Sequence, residues 1–348
     1  MRHRTTSRSA RLFPVVVVAS AIIMVTASLG VHIASADTNG IEGHDKTANE
    51  SHAQHGDNGP KNSDFVDIRN VRPNGGVRTG DRTGTLTADC GTNEDHHNNP
   101  DNFIVAPGKS NGAHHLHDYV GNTSTDGDST DKSLAKADTT CVNGEDKSAY
   151  FWPVLRDLTK KGKDARQDGG GNDHNVGAVL QPVLVKIEFR GNPQDDVVAM
   201  PNHLRMVTGD AKAVTNGPKN ANAKWTCTGF EDRVTNKYPL CPGGSEVARI
   251  LDFPGCWDGK NLDSENHRTH VAFADDDGSC PEGFKAIPQL RYTLVYDVPP
   301  GRSFAVDSFP EEQHNPVTDH ADFEAVMSGK LLSRIVDCVN SGQDCVND

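Results

Sequence analysis

Apolar positions along the chain follow three patterns. From Leu12 to about Ile33 they run almost without a break, centred on Val15-Val16-Val17-Val18 and Ala21-Ile22-Ile23-Met24-Val25. From Val183 to Arg190 they alternate. Val183, Val185, Ile187 and Phe189 share one face, and Leu184, Lys186, Glu188 and Arg190 share the other. Period two is the signature of a half-buried strand. Arg291 to Val298 repeats it with Tyr292, Leu294, Tyr296 and Val298. Weaker strands are expected at 83–89, 103–105, 203–208, 224–230, 249–253 and 270–274, separated by Gly, Pro, Asn and Asp clusters. The third pattern is helical. Between Asp322 and Asn340, Phe323, Val326, Met327, Leu331, Ile335 and Val339 recur at helical spacing, with Thr318 or Asp319 as the cap. Many strands and one terminal helix predict a mainly β fold: a sandwich-like antiparallel domain with long loops, disulfides and a C-terminal α-helix.

The continuous run has flanks that identify it. Arg2, Arg4, Arg8 and Arg11 precede it, and Ala34-Ser35-Ala36 follows. A basic start, an apolar core and a small-x-small exit make a cleavable export signal over residues 1–36. The competing reading is an uncleaved anchor, but Ser20, Thr26, Ser28 and Gly30 weaken a run that needs about 20 apolar residues to span a bilayer. No Arg-Arg pair is present, which favours the general secretory route. Residues 37–63 carry almost nothing apolar and read as a disordered linker, including His44, His52 and His55. Residues 64–348 then form a single domain.

Export changes the meaning of charge and cysteine. The net charge is −13, and loss of the four leader arginines makes it −17. Such a chain is repelled by phosphate backbones and anionic lipid, so neither nucleic acid nor, after cleavage, a membrane is an expected partner. All eight cysteines lie beyond the leader: Cys90, Cys141, Cys227, Cys241, Cys256, Cys280, Cys338 and Cys345. An even number in an exported chain implies four disulfides, with 105 possible pairings. Pairing neighbours gives Cys90–Cys141, Cys227–Cys241, Cys256–Cys280 and Cys338–Cys345. These staples supplement a modest core, since only 34% of residues are hydrophobic. A secreted, extracellular monomer is expected.

Three segments carry candidate chemistry. In Ala113-His114-His115-Leu116-His117-Asp118-Tyr119, His115 and His117 would share one face of a strand about 7 Å apart, suited to one divalent metal ion. The second segment runs from Phe253 through Cys256-Trp257-Asp258-Gly259-Lys260-Asn261-Leu262-Asp263 to Glu265, His267, Arg268 and His270. An indole beside carboxylates and amides suits a sugar, whose apolar face stacks while its hydroxyls need donors and acceptors. The third is His320-Ala321-Asp322-Phe323, where Asp322 could simply complement a helix dipole. On this reading Asp118, Asp258 and Asp263 are acid/base candidates for glycosidic cleavage. Trp257, Lys260, Asn261, His267 and Tyr119 are substrate contacts, and His115, His117, His270 and His320 are metal ligands. The competing reading of the second segment is a polar, disulfide-pinned loop with Trp257 in the core, and that of the His115/His117 spacing is chance among 16 histidines. No nucleophile elbow, zincin motif or P-loop occurs.

Together the segments resemble a known family. Phe103-Ile104-Val105-Ala106-Pro107-Gly108, His115-Leu116-His117-Asp118-Tyr119-Val120-Gly121-Asn122, Ser148-Ala149-Tyr150-Phe151-Trp152-Pro153, Cys256 to Ser264 with His267 and His270, and His320-Ala321-Asp322-Phe323 are similar to the domain-of-unknown-function family numbered nineteen ninety-six. Its members are secreted proteins of actinobacteria and fungi, and Tyr119 after His117-Asp118 looks actinobacterial. The resemblance runs from about Phe65 to Cys338. It implies export and one domain, but no established activity. It also implies that His115, His117, His270 and His320 occupy motif positions. The expected function is therefore glycan binding or polysaccharide hydrolysis, with cell-wall or extracellular polysaccharide as partner. A non-catalytic metal-binding or envelope protein is the alternative.

Overall fold

The computed structural model describes residues 59–75 and 83–347. The segment read as an export signal, and most of the segment read as a linker with its three histidines, lie outside the described residues. The expected mainly β architecture is what the chain adopts. Two large sheets dominate. One has six strands in the spatial order 224–227, 247–252, 289–296, 184–190, 85–88 and 344–347, antiparallel except for its last pair. The other has five antiparallel strands in the order 98–99, 117–121, 149–153, 320–324 and 205–209. Smaller two- and three-stranded sheets complete the domain.

The two large sheets pack face to face through aromatic side chains. Tyr292 lies 5.7 Å from Trp152, 5.9 Å from Tyr150 and 4.9 Å from Phe253 between ring centroids. Trp152 Nε1 donates to Tyr296 Oη, so the indole N–H is satisfied inside the core. Period two decides the split of the five-stranded sheet. Val120, Tyr150, Trp152, Met206, Ala321 and Phe323 face the shared core. Their neighbours Tyr119, Phe151 and Val207 face the opposite side, in a smaller apolar cluster with Phe103 and Ile104. It is this second face that carries the histidines.

The strands expected at 183–190 and 291–298 are present as Leu184–Arg190 and Gln289–Tyr296. Residues 103–105 form a turn instead, because Asn102 Oδ1 accepts from the Ile104 and Val105 amides. The terminal helix is shorter than the periodicity suggested. It spans Gly329–Asn340, and its cap is Ser328 in place of Thr318 or Asp319, the Ser328 side chain accepting from the Leu331 amide. Residues His320–Glu324 are a strand held on both sides, by 149–151 and 205–209. Pairing on two edges outweighs a local helical period, and Phe323 serves the core as a strand residue.

All four disulfides join sequence neighbours: Cys90–Cys141, Cys227–Cys241, Cys256–Cys280 and Cys338–Cys345. The last ties the helix to the strand Asp344–Asn347. No helix among the described residues is long and apolar enough to cross a membrane.

Candidate functional site: a three-histidine centre

The site is built from strand register. His117 lies opposite Pro153. Asp322 lies opposite Phe151, and the same register carried two places further sets His320 beside Pro153. Directly opposed residues share a face, so His117 and His320 flank Pro153 on one side of the sheet, roughly 9–10 Å apart at the backbone. The small proline ring leaves the imidazoles room to reach toward each other. His115, just ahead of the strand, closes the group.

The three rings converge through Nε2. His115 Nε2 lies 3.2 Å from both His117 Nε2 and His320 Nε2. The other nitrogens turn outward. His117 Nδ1 donates to the Asp101 carbonyl at 3.0 Å, and His320 Nδ1 to the Thr318 carbonyl at 2.8 Å. A carbonyl only accepts, so in the neutral rings the proton sits on Nδ1 and Nε2 offers a lone pair inward. His115 Nδ1 has no partner of full hydrogen-bond geometry among the described residues, although the Ala113 carbonyl favours its charged form.

Burial keeps these rings neutral. Desolvation drives His115 and His117 well below the usual histidine range, helped by the neighbouring imidazoles. Desolvation also lowers His320. Lone pairs facing one another at 3.2 Å need something between them. A proton on His115 Nε2 satisfies one contact at a time and leaves its Nδ1 without a donor. A cation satisfies all three. A tetrahedral ion bound at about 2.0–2.1 Å sets its ligand nitrogens roughly 3.3 Å apart, close to the spacing found.

Buried ion pairs hold the ligands in place. Arg249 and Asp319 are fully buried and paired through Nη2 and Nε, and Arg249 Nη1 donates to the Pro153 carbonyl. One guanidinium thus fixes both the residue before His320 and the proline between the strands. Asp307 accepts from the Leu116 amide and is itself clamped by Arg156, which also grips Asp164. That network sets the backbone between His115 and His117. Phe309 meets His115 edge-on at 5.5 Å and covers it. Gly209, the register partner of His320, has φ +76°, and a Cβ there would come within 2.3 Å of the Asp319 carbonyl oxygen.

Asp322 shares the face of His320 two residues on. It is fully buried, and neither carboxylate oxygen has a partner of hydrogen-bonding geometry among the described residues. Burial pushes its carboxyl up to about 7, against the opposing influence of Asn102, Arg268 and His267. It does not cap a helix. The capping role that the sequence left open for it falls away because His320–Glu324 is a strand.

The other candidates fall elsewhere. His270 does not join the cluster: its Nδ1 contacts Ser264 Oγ and its Nε2 contacts the Arg205 carbonyl. Asp118 projects from the opposite face of its strand, bonded by the Asn93 and Asn98 amides. Asp258 organises its own turn through the Lys260 and Asn261 amides. Asp263 is engaged by His267 Nδ1 and the Ser264 amide. Trp257 Nε1 donates to the Asn261 carbonyl, and Lys260 and Asn261 are exposed. Tyr119 donates to Asn99 Oδ1 and the Asp101 carbonyl, alongside His117. The second segment is therefore a loop whose carboxylates bond within it and whose His270 and Arg268 bond the strand 205–209, whereas the first and third segments meet.

A family profile described as a domain of unknown function (DUF1996) matches residues 102–325. The chain belongs to this family. The matched span includes His115, His117, His320 and Asp322, so the family domain contains the whole histidine centre. No curated protein and no solved structure matches the chain.

Proposed function

We propose that this member of the family is an exported metalloprotein. His115, His117 and His320 hold one divalent transition-metal ion, which with the Asp322 carboxyl forms the reactive centre for an extracellular glycan. The convergence of three Nε2 atoms, with the outer nitrogens turned to backbone carbonyls, carries the metal reading. Second-sphere carbonyls that fix imidazole tautomers are a regular feature of such sites. Imidazole donors suit zinc, copper, iron or nickel better than calcium or magnesium. Three protein ligands leave a position for water or substrate. A bound ion supplies Lewis acidity there. Asp322, whose two oxygens lack a hydrogen-bond partner among the described residues, takes the acid/base place first assigned to Asp118, Asp258 and Asp263. The leader pattern and four disulfides support export.

Glycan binding rests on a separate observation. A cavity of about 310 Å³ beside the sheet edge presents Phe273, 45% exposed, together with Asn220 and Asn222. An open ring beside amides fits a sugar's apolar face and hydroxyls.

The test uses mature protein purified without a histidine tag. Incubated with Zn²⁺, Cu²⁺ or Mn²⁺ and desalted, it should retain about one equivalent of Zn²⁺ or Cu²⁺ by elemental analysis. His117→Ala and His320→Ala should each retain under roughly a tenth of that, because two imidazoles hold a divalent ion far less tightly than three. Wild-type protein that stays metal-free under all three conditions would overturn the metal reading. A polysaccharide panel run with Asp322→Asn tests the glycan reading: no binding and no turnover by wild type removes it.

A further inference from the structure

The cavity holding Phe273 has an unusual charge for this chain. It is lined by Val207, Lys219, Asn220, Asn222, Arg268 and Phe273, among others, and none of its lining residues is acidic. Across the chain, 48 Asp and Glu outnumber 35 Lys and Arg. We propose that this cavity is a subsite for an acidic sugar, a uronate, with its carboxylate held by Arg268 and Lys219. The inference rests on the glycan reading above and names the charge and class of the unit bound.

Arg268 is the anchor. Its Nη2 donates to the Gly209 carbonyl at 2.6 Å, and among the described residues that is the one hydrogen bond its guanidinium makes. A guanidinium has five N–H groups in a planar fork, so most of its donors remain for a ligand. A planar carboxylate matches that fork in a bidentate pair, which a neutral hydroxyl cannot do. Lys219, exposed at the cavity and in no ion pair among the described residues, supplies a second positive charge. Asn222 spends its Nδ2 on Thr208 Oγ1 and the Asp252 carbonyl, which leaves Oδ1 to accept from a sugar hydroxyl. The exposed Phe273 ring provides the stacking platform. The volume is at the lower end of the range of about 300–1,000 Å³ for ligand pockets, which suits one or two sugar units.

The subsite also adjoins the histidine centre. Gly209, whose carbonyl Arg268 holds, is the register partner of His320, and Val207 is the register partner of Asp322. Arg268 acts electrostatically on both His320 and Asp322.

The experiment is calorimetric titration of the metal-loaded mature protein with an oligogalacturonate, the corresponding neutral galacto-oligosaccharide, and sodium sulfate. The acidic oligosaccharide should bind at least about tenfold tighter than the neutral one, with a preference that shrinks as salt rises. Arg268→Gln should remove about ten- to a hundredfold of acidic affinity and little of the neutral. Lys219→Gln, on an exposed segment where folding is not at stake, should remove a smaller part. Phe273→Ala should weaken both sugars. Equal affinity for acidic and neutral sugars, or an unchanged preference in both charge variants, overturns the uronate assignment and leaves the glycan reading standing. Sulfate binding as tightly as the oligogalacturonate overturns it too, since the site would then read charge without a sugar. Loss of binding to both oligosaccharides in wild type overturns both readings.

Discussion

Arg249 and Asp319 are both sealed from water, so removing either leaves a charge without its counterion in a low-dielectric setting. Breaking a buried pair in this way costs about 3–5 kcal/mol. Arg249→Gln should lower stability by that amount in urea denaturation, and should also weaken metal retention because Asp319 no longer anchors His320. A loss below about 1 kcal/mol would show that the pair is dispensable. Asp146 offers a pH test away from the histidines. Burial raises its carboxyl above the ordinary aspartate range, despite hydrogen bonds from Tyr150, 2.7 Å away, and Ser148. The folded state therefore holds the Asp146 proton more tightly than the unfolded chain does. The associated stability is fully present below the unfolded pKa of about 3.9 and is lost as pH rises through the folded value. Asp146→Asn removes that loss. The variant's Tm relative to wild type should climb as pH rises from about 4, and a flat difference across pH 4–8 would count against the buried-charge account.

At the scale of elements, the stretch 318–340 shows how a local pattern misleads. Phe323, Val326 and Met327 fit a helical period by spacing, yet the chain is a strand to Glu324 and a helix only from Gly329. The difference arises because residues 320–324 complete backbone ladders on two sides, a contribution invisible in the segment itself. Within the true helix, Leu331, Ile335 and Val339 do mark the buried face. Its cap is Ser328, whose side chain accepts from the Leu331 amide at 3.1 Å. Ser328→Ala should cost about 1 kcal/mol, read as a small shift of the denaturation midpoint, whereas Thr318→Ala should show no effect on the helix. Gly209→Ala joins a left-handed backbone to a clash with the Asp319 carbonyl and should destabilise by about 1–3 kcal/mol. Proper folding of that variant with full metal retention would show that the strand edge can shift without disturbing His320.

For the whole molecule, the disulfides set a graded ledger. Cys90–Cys141 closes a 51-residue separation and Cys338–Cys345 one of 7. On the chain-entropy account the first contributes about 4 kcal/mol and the second about 2. The Ser-for-Cys double variant at 90 and 141 should therefore lose more stability than the one at 338 and 345. Equal losses would point to native-state strain rather than unfolded-chain entropy.

Much of this protein was readable from residues alone. Alternation identified the longest strands, because side-chain direction in a strand depends only on position parity. An even cysteine count pointed to four disulfides, and neighbour pairing proved correct since short separations meet most readily. His115, His117 and His320 stood out by chemical type. What the residues could not supply was registry across 200 positions. Pro153 between His117 and His320, Arg249 behind them, and Asp322 on their face acquire meaning only when three strands align. His270 and Asp258 looked equally eligible in the sequence, but Asp258 is bonded within its own turn and His270 is held between Ser264 and the Arg205 carbonyl of the neighbouring strand. Composition and period are local properties, and they determined the class of fold. The site is a set of non-local distances, and only the pairing of distant strands decided which histidines face one another.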